Sequence, residues 1–168
     1  MWRGGLILPN GMERGRKYPL VIQTHGFRSN AFLLDGGSGT AFAARALAAR
    51  GVVVLQMEDK SDLTSTIDEA TAYVAAYDAA IDALKAKGFI DDKRVGVIGF
   101  SRTCYHVKRA LFRSKYRPAA AIVADGVDFG YMQSILAGPN SEGGHFYRAT
   151  FKAVTGFEMK DVLGEASE

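Results

Sequence analysis

The sequence predicts a single α/β domain built around a mostly parallel sheet. Short apolar runs alternate with stretches of helical periodicity, which is typical of consecutive βαβ units. No internal repeat, low-complexity tract or linker interrupts this alternation. Hydrophobic residues make up 48% of the 168 residues, which is enough for one sizeable core. We therefore assign residues 1–168 to one domain.

Five apolar runs and three periodic stretches give the order of the predicted elements. Strands are predicted at residues 5–8, 20–24, 52–55, 94–98 and 119–124. Helices are predicted at residues 41–50, 67–87 and 102–114. Residues 91–93 are predicted to form a turn before the fourth strand. Residues 132–168 contain Gly-Pro and Gly-Gly pairs and weak helical spacing, so we predict a loop-rich excursion within the domain there.

The helix predicted at residues 67–87 has the clearest signals at its two ends. Asp68 and Glu69 lie in its first turn, Lys85 and Lys87 in its last, and Gly88 follows it. Its apolar residues are spaced to form one stripe that covers a face of the sheet. They are Ile67, Val74, Tyr77, Ile81 and Leu84.

Charge and hydropathy argue against nucleic-acid and membrane partners. The chain has 21 Lys and Arg residues against 18 Asp and Glu, spread along its length. The densest basic stretch, residues 108–117, lacks the interleaved stacking aromatics or recognition motif of a nucleic-acid binder. No apolar run approaches the roughly 18 residues of a membrane span. These features leave the oligomeric state open.

The same reasoning predicts no metal, nucleotide or other cofactor. Cys104 is the one cysteine, so an intrachain disulfide and a cysteine-rich metal site are excluded. The glycine-rich residues 36–39 lack the lysine of a phosphate loop. Nothing requires an oxidising compartment, which makes the cytoplasm the default location. The N-terminal apolar run ends at Pro9 and is too short for a signal-peptide core, although a lost signal peptide stays open.

The segment Gly99-Phe100-Ser101-Arg102-Thr103 joins a predicted strand to a predicted helix. This small-x-Ser-x-small pattern indicates a nucleophile elbow, a strained turn that projects a serine hydroxyl above the sheet edge. Small flanking residues let the two backbones approach, which Gly99 allows fully and Thr103 less well. The helix N-terminus adds a dipole that favours a developing oxyanion. The alternative is that Ser101 only caps the helix.

A second segment supports the catalytic interpretation. The second predicted strand ends in His25-Gly26-Phe27, and a backbone N–H after this strand would lie beside the elbow. We predict Ser101 as the nucleophile and the backbone N–H groups of Phe27 and Arg102 as its oxyanion hole. Together the two segments predict an α/β-hydrolase fold, a three-layer sandwich that is incomplete on its C-terminal side.

The sequence offers no clear base for Ser101. His25 belongs to the oxyanion strand and is expected to fix its loop. His106 lies about 140° around the helix from Ser101, so it is expected to pack or to face solvent. His145 lies in the irregular tail and would act as a base only in an unusual topology. Loop capping or pocket lining is expected of two acids after the fifth strand, Asp125 and Asp128.

Two further residues of the elbow helix have alternative roles. Cys104 is expected to be a buried helix residue rather than a rival nucleophile. The Arg102 side chain either binds a substrate carboxylate or forms a surface ion pair.

Four segments resemble the catalytic domain of prolyl oligopeptidase family serine peptidases, with the lasso-peptide isopeptidases as the nearest branch. They are residues 18–27 (YPLVIQTHGF), 79–84 (AAIDAL), 94–106 (RVGVIGFSRTCYH) and 124–131 (ADGVDFGY). The resemblance runs from about Gly5 to Tyr131. It implies that Ser101 attacks an amide or isopeptide carbonyl of a peptide substrate and forms an acyl-enzyme.

The resemblance also implies parts that these residues do not contain. Family members have a β-propeller before this domain, and their triad Asp and His follow two further strands, for which no motif precedes Glu168. We therefore expect a fragment with very low activity alone, because a serine without a base is a poor nucleophile. A family tyrosine that assists the oxyanion hole falls near Thr24, which leaves the backbone donors. A carboxylic-ester hydrolase and a non-catalytic, hydrolase-fold binding module stay open as alternatives.

Overall fold

A five-stranded sheet forms the centre of the fold. The computed structural model of the chain describes residues 1–27, 44–126 and 142–158, together with residues 136 and 161. The strands are β1 (Gly4–Ile7), β2 (Tyr18–Phe27), β3 (Val53–Glu58), β4 (Ile90–Phe100) and β5 (Ala120–Ala124). Their order is β1-β3-β2-β4-β5, with β1 antiparallel to β3 and the other pairs parallel. The predicted mostly parallel sheet is confirmed.

Three helices connect strands and pack on the sheet, and a fourth follows β5. They are α1 (Ala44–Ala48), α2 (Glu69–Ala86), α3 (Thr103–Arg113) and α4 (Glu142–Thr155), with a short 3-10 helix at Ser61–Leu63. The predictions for α2 and α3 are confirmed to within two residues at each end. α1 lies inside the helix predicted at 41–50, of which residues 41–43 are outside the described residues. In the described part of the chain, every helix is too short or too polar to cross a membrane.

The main core lies between one face of the sheet and the helices α2 and α3. Leu20 and Ile22 of β2 and Val95 and Val97 of β4 are at most 2% exposed. Helix side chains complete the same cluster: Val74, Tyr77, Ile81, Leu84, Val107 and Ala110. Burial of each large apolar side chain contributes about 1.5–3 kcal/mol, so this cluster is the main source of stability for the elements that carry the site.

Two local predictions are wrong. Ile67 is 64% exposed, because it precedes the first turn of α2 and does not share the buried face of that helix. Residues 91–93 lie within β4 rather than in a turn before it. The pairing of β4 with β2 shifts register between Ile90 and Val95, so the turn residues form an irregularity inside the strand. The Lys93 N–H donates to the Asp91 carboxylate at 3.0 Å, which is the side-chain to backbone hydrogen bond that aspartate typically forms in a turn.

The loop-rich excursion predicted over residues 132–168 is wrong for residues 142–155, which form α4. Gly143 and Gly144 lie in its first turn and weaken the helical signal, since glycine costs about 1 kcal/mol relative to alanine in a helix. Thr150 and Phe151 are only 3% and 9% exposed. Packing of this side stabilises the helix where propensity does not. The assignment of residues 1–168 to one domain stays a prediction.

β5 lies at one end of the described sheet and is open to solvent. All five of its residues are exposed, including Ile122 at 56% and Val123 at 45%. Parallel strands in α/β proteins are normally covered on both faces. The unpaired backbone groups of an exposed edge strand can form hydrogen bonds with another strand.

Candidate active site

Strained residues mark the carboxyl ends of three neighbouring strands. His25 near the end of β2, Ser101 directly after β4 and Asp125 directly after β5 have φ angles of 72°, 50° and 52°. Residues other than glycine rarely adopt this left-handed conformation, which costs about 1–3 kcal/mol where the surroundings impose it. Such strain clusters at functional sites, and ligand sites of parallel sheets lie at this edge. The edge formed by β2, β4 and β5 is therefore the candidate active site.

Ser101 lies in the turn that joins β4 to α3. Its N–H donates to the Ala124 carbonyl oxygen at 3.0 Å, and its own carbonyl oxygen accepts from the Cys104 N–H at 3.1 Å. No described residue forms a hydrogen bond with its hydroxyl, and α3 begins without a side-chain cap. The structure thus gives no support to the alternative in which Ser101 caps the helix. Its role as the nucleophile stays a prediction.

Gly99 allows β4 and α3 to approach each other behind Ser101. A Cβ atom at this position would lie 2.8 Å from Cγ2 of Val107 and 3.1 Å from the backbone N and Cα of Cys104. The Val107 methyl group is buried and the Cys104 atoms are backbone, so neither can move away at little cost. The requirement for a very small residue at position 99 is confirmed.

The Thr103 hydroxyl holds the turn together from inside. Its Oγ1 accepts from the Phe100 N–H at 3.0 Å and donates to the Phe100 carbonyl oxygen at 2.9 Å. The hydroxyl of Thr24, on β2, lies 2.7 Å from Oγ1 of Thr103 and 3.0 Å from the Ile98 carbonyl oxygen. Thr24 and Thr103 are both buried. Thr24 therefore ties β2 to the elbow and does not offer a donor at the open edge.

The two predicted oxyanion donors come from different elements at this edge. Arg102 follows Ser101 directly. Phe27 is the last residue of β2, where it is opposite Glu58 of β3 after a shift in register. Since β2 is the neighbour of β4, both backbone N–H groups belong to the same end of the sheet. Their role as an oxyanion hole stays a prediction.

The Arg102 side chain is bound to a buried carboxylate. Its Nε donates to Oε1 of Glu69 at 2.7 Å. Its Nη2 donates to Oε2 of Glu69 and to the Ser65 hydroxyl, the latter at 3.2 Å. Glu69 is the first residue of α2 and is 1% exposed. Of the two roles left open for Arg102, the structure has the ion pair, and it is a partly buried pair rather than a surface one.

Glu69 accepts two further hydrogen bonds. The Ser65 N–H donates to Oε2 at 2.7 Å, and Nε2 of His106 is 2.8 Å from Oε1. Burial alone would raise the pKa of Glu69, but the hydrogen bonds from His106, Arg102 and Ser65 outweigh it and lower the pKa to about 2. The carboxylate is therefore ionised throughout the neutral range.

His106 supports this carboxylate and is packed, as expected. It is 1% exposed, and its ring stacks on Tyr73 with the ring centroids 3.8 Å apart. Nδ1 has no hydrogen-bond partner among the described residues. Because Glu69 is ionised, the tautomer with its proton on Nε2 satisfies the carboxylate and leaves only an acceptor unpaired. His106 is thus turned toward Glu69 and Tyr73 in the interior.

His25 pairs with an acid that follows β3. Its Nδ1 is 3.3 Å from the Asp59 carboxylate, and its ring centroid is 5.7 Å from that of Phe100. The hydrogen bond to Asp59 raises the pKa of His25, and the smaller effect of burial opposes it. This pairing links the ends of β2 and β3, whereas the loop that His25 is expected to fix lies outside the described residues.

Three candidates remain: His145, Asp128 and Cys104. His145 is an exposed residue of α4, with Nδ1 3.1 Å from the Arg148 guanidinium. Asp128 lies outside the described residues. Cys104 is fully buried with Sγ 3.3 Å from the Ala124 carbonyl oxygen, as expected for a buried helix residue.

The sequence predicts Glu69 only as an acid in the first turn of α2, where it favours the helix dipole, and its bond to Arg102 was not predicted. One signal was available, because Glu69 precedes Tyr73 and Tyr77 by four and eight residues. That spacing puts the three side chains on one face of the helix. A carboxylate on the buried face needs a cation or several donors, but the spacing does not identify the residue that supplies them.

The parallel sheet, its covering helices and a left-handed serine between strand and helix define an α/β-hydrolase fold. No family model matches the chain. The chain is homologous to the lasso peptide isopeptidase AtxE2 of Asticcacaulis excentricus, with 29% identity over 154 residues. The match covers 82% of this chain and 22% of the relative, so the chain spans about a fifth of that protein's length.

Solved structures give the same result for the fold. A variant of AtxE2 isopeptidase with Astexin3-dC4 bound has a TM-score of 0.66 at 24% identity and is matched over 90% of this chain and 24% of its own. Acylaminoacyl peptidase in complex with Z-Gly-Gly-Phe-chloromethyl ketone has a TM-score of 0.62 at 20% identity, with the same coverage of 90% and 24%. These structures share the fold of the chain, and together with the AtxE2 relative they confirm the resemblance found in the sequence.

Proposed function

We propose that this chain carries the nucleophile part of a serine peptidase active site that cleaves amide bonds in peptides, with Ser101 as the attacking residue. The observation that carries the proposal is the left-handed backbone of Ser101 between β4 and α3, with a hydroxyl that no described residue engages. The relatives support the amide-bond class, since one is named an isopeptidase and another an acylaminoacyl peptidase. A peptide or isopeptide substrate follows from the same names.

In the proposed reaction, Oγ of Ser101 attacks the carbonyl carbon while its proton passes to a base. The carbonyl oxygen becomes an oxyanion and accepts hydrogen bonds from the N–H groups of Phe27 and Arg102. Collapse of the tetrahedral intermediate breaks the C–N bond, and the amine leaves with the proton. The acyl group stays on Ser101 until water hydrolyses the ester.

No base is identified among the described residues, because none of them forms a hydrogen bond with the Ser101 hydroxyl. His106 is buried against Glu69 and Tyr73, and His25 pairs with Asp59. We propose that the triad Asp and His lie outside these 168 residues, as the family resemblance implies. The chain alone then has very low activity, although an elbow and an oxyanion hole without a base still accelerate attack by roughly 10³-fold.

A fluorophosphonate is expected to modify Ser101 selectively but slowly in the full chain. Oγ attacks phosphorus and fluoride leaves, so the step tests the nucleophile without needing a peptide substrate. Because no base takes the proton, the rate is expected to rise with hydroxide concentration from about pH 6 to 9, without the plateau that a histidine base produces. Mass mapping of the modified peptides at each pH measures both the site and the rate.

Two variants control this experiment. Ser101→Ala is expected to abolish the selective signal, whereas Ser61→Ala, which changes an exposed serine of the short 3-10 helix, is expected to leave it unchanged. Modification spread evenly over the serines would contradict the proposal. It would favour a hydrolase-fold module that binds without catalysing.

A further inference from the structure

We infer that Glu69 is a positioning residue for the elbow: its buried carboxylate anchors the Arg102 side chain and so holds the Arg102 backbone N–H where the oxyanion forms. The inference rests on the proposed function, because it takes Ser101 as the nucleophile and Arg102 as a donor. In this role Glu69 neither attacks the substrate nor transfers a proton.

The bond between Glu69 and Arg102 fixes orientation as well as distance. Nε and Nη2 of Arg102 bond to different carboxylate oxygens, so the planar guanidinium forms a bidentate contact with the carboxylate. A single bond would allow the side chain to rotate about it. Arg102 follows Ser101 directly, so fixing its side chain restrains the peptide unit that carries the proposed donor.

Glu69 is itself held by the body of the fold. Besides Arg102, each carboxylate oxygen has one further partner: Oε2 accepts from the Ser65 N–H, and Oε1 is bonded to Nε2 of His106. The His106 ring stacks on Tyr73, and the Tyr73 hydroxyl accepts from the Lys60 N–H at 2.7 Å. Tyr73 belongs to the main core through α2. The carboxylate therefore has a fixed position relative to the sheet that carries Ser101.

The elbow requires support of this kind because Ser101 is strained. A residue at φ 50° relaxes toward an ordinary conformation unless its surroundings prevent it. The Thr24–Thr103 pair restrains the turn on its buried side. The Glu69–Arg102 pair restrains the residue after Ser101. Because a displacement of about 1 Å in such a site costs on the order of 100-fold in rate, loss of the second restraint has a large expected effect.

If the role of Glu69 were purely structural, its bonds would be one of several sets of side-chain hydrogen bonds that link α2 to α3. A second set of such hydrogen bonds lies at the other end of α3, where Asp78 accepts from the Ser114 hydroxyl at 2.5 Å and from the Lys115 N–H at 3.2 Å. Asp78 joins the same two helices and makes no contact with the elbow turn in these bonds. Asp78→Asn is therefore a matched control for Glu69→Gln.

The experiment compares the rate at which the fluorophosphonate modifies Ser101 in the full chain, in Glu69→Gln and in Asp78→Asn. Circular dichroism and a thermal melt first establish that each protein is folded at the assay temperature. We expect Glu69→Gln to slow the modification at least tenfold and Asp78→Asn to change it less than twofold. Equal rates in the two variants, or a Glu69→Gln rate equal to that of the full chain, overturn the inference.

A second measurement does not depend on Ser101 being reactive. The backbone amide signals of Ser101 and Arg102 in ¹H–¹⁵N spectra are expected to shift in Glu69→Gln and to stay in place in Asp78→Asn. Unmoved signals in Glu69→Gln overturn the positioning role. Moved signals in a chain whose Ser101 is unreactive support the positioning role and count against the proposed function. If Glu69→Gln does not fold, Glu69→Asp keeps the charge, is too short for the bidentate contact with Arg102 and must move the same signals.

Discussion

Glu69→Gln is expected to lower the free energy of unfolding at pH 7 by about 3 kcal/mol. The pKa of Glu69 falls from its ordinary value of 4.5 to about 2 on folding, and a pKa lowered by one corresponds to about 1.4 kcal/mol of stability. A lowered pKa stabilises the fold above the pKa of the unfolded chain, and that contribution is lost as the pH falls through the folded value. The full chain should therefore lose this stability between about pH 4.5 and 2.

Urea unfolding at several pH values between neutrality and about pH 2 checks this expectation. The difference between Glu69→Gln and the full chain should be largest at pH 7 and should shrink toward zero at the acid end. Asp82→Asn is the control on the same helix, because Asp82 bonds to Lys115 and Tyr116 at the exposed surface. Its effect should be much smaller. A difference for Glu69→Gln that is independent of pH would show that the ionised carboxylate does not supply the stability.

Gly99→Ala is expected to lower the free energy of unfolding by about 1–3 kcal/mol through overpacking. The added methyl group would lie 2.8 Å from the Val107 side chain and 3.1 Å from the Cys104 backbone, so β4 and α3 must separate to admit it. That separation acts on the turn that carries Ser101. The fluorophosphonate reaction of Ser101 should therefore slow in the same variant. Denaturant unfolding and the modification rate measure the two effects separately.

The matched control for Gly99→Ala is Gly96→Ala in the same strand. A Cβ atom at position 96 would meet Val21 at 3.5 Å and Ala120 at 3.7 Å, which are ordinary van der Waals contacts. We expect it to be neutral or slightly stabilising, since alanine loses less conformational entropy than glycine on folding. If both variants lose the same stability, the close approach at Gly99 is not the cause.

Much of the fold could be predicted because its signals are local. The α2 and β4 segments carry their periodicity, end signals and apolar runs within short windows of sequence, and the Gly99–Ser101 pattern specifies the turn between strand and helix. α4 escaped prediction because two glycines weaken its propensity, and tertiary packing of Thr150 and Phe151 stabilises it instead. The register shift within β4 also depends on its partner β2, which a single segment does not reveal.

The support of the site was harder to predict because its bonds join distant positions. Glu69 and Arg102 are 33 residues apart, and Thr24 and Thr103 are 79 apart. Each residue has a plain local explanation: an acid at a helix start, an arginine on a surface, a threonine in a strand. Only the packing of α2 against α3 and of β2 against β4 brings the partners together.

Cys104 gives the chain a natural reporter of local opening. Its thiol is buried, and its Sγ and the Ser101 N–H both bond to the Ala124 carbonyl oxygen. A thiol reagent reaches the buried sulfur only when the structure around it opens locally. An opening that separates the turn after β4 from the end of β5 would break the Ser101 bond as well. Since the chain has one cysteine, the alkylation rate of Cys104 measures how often the structure around it opens locally, without an introduced label.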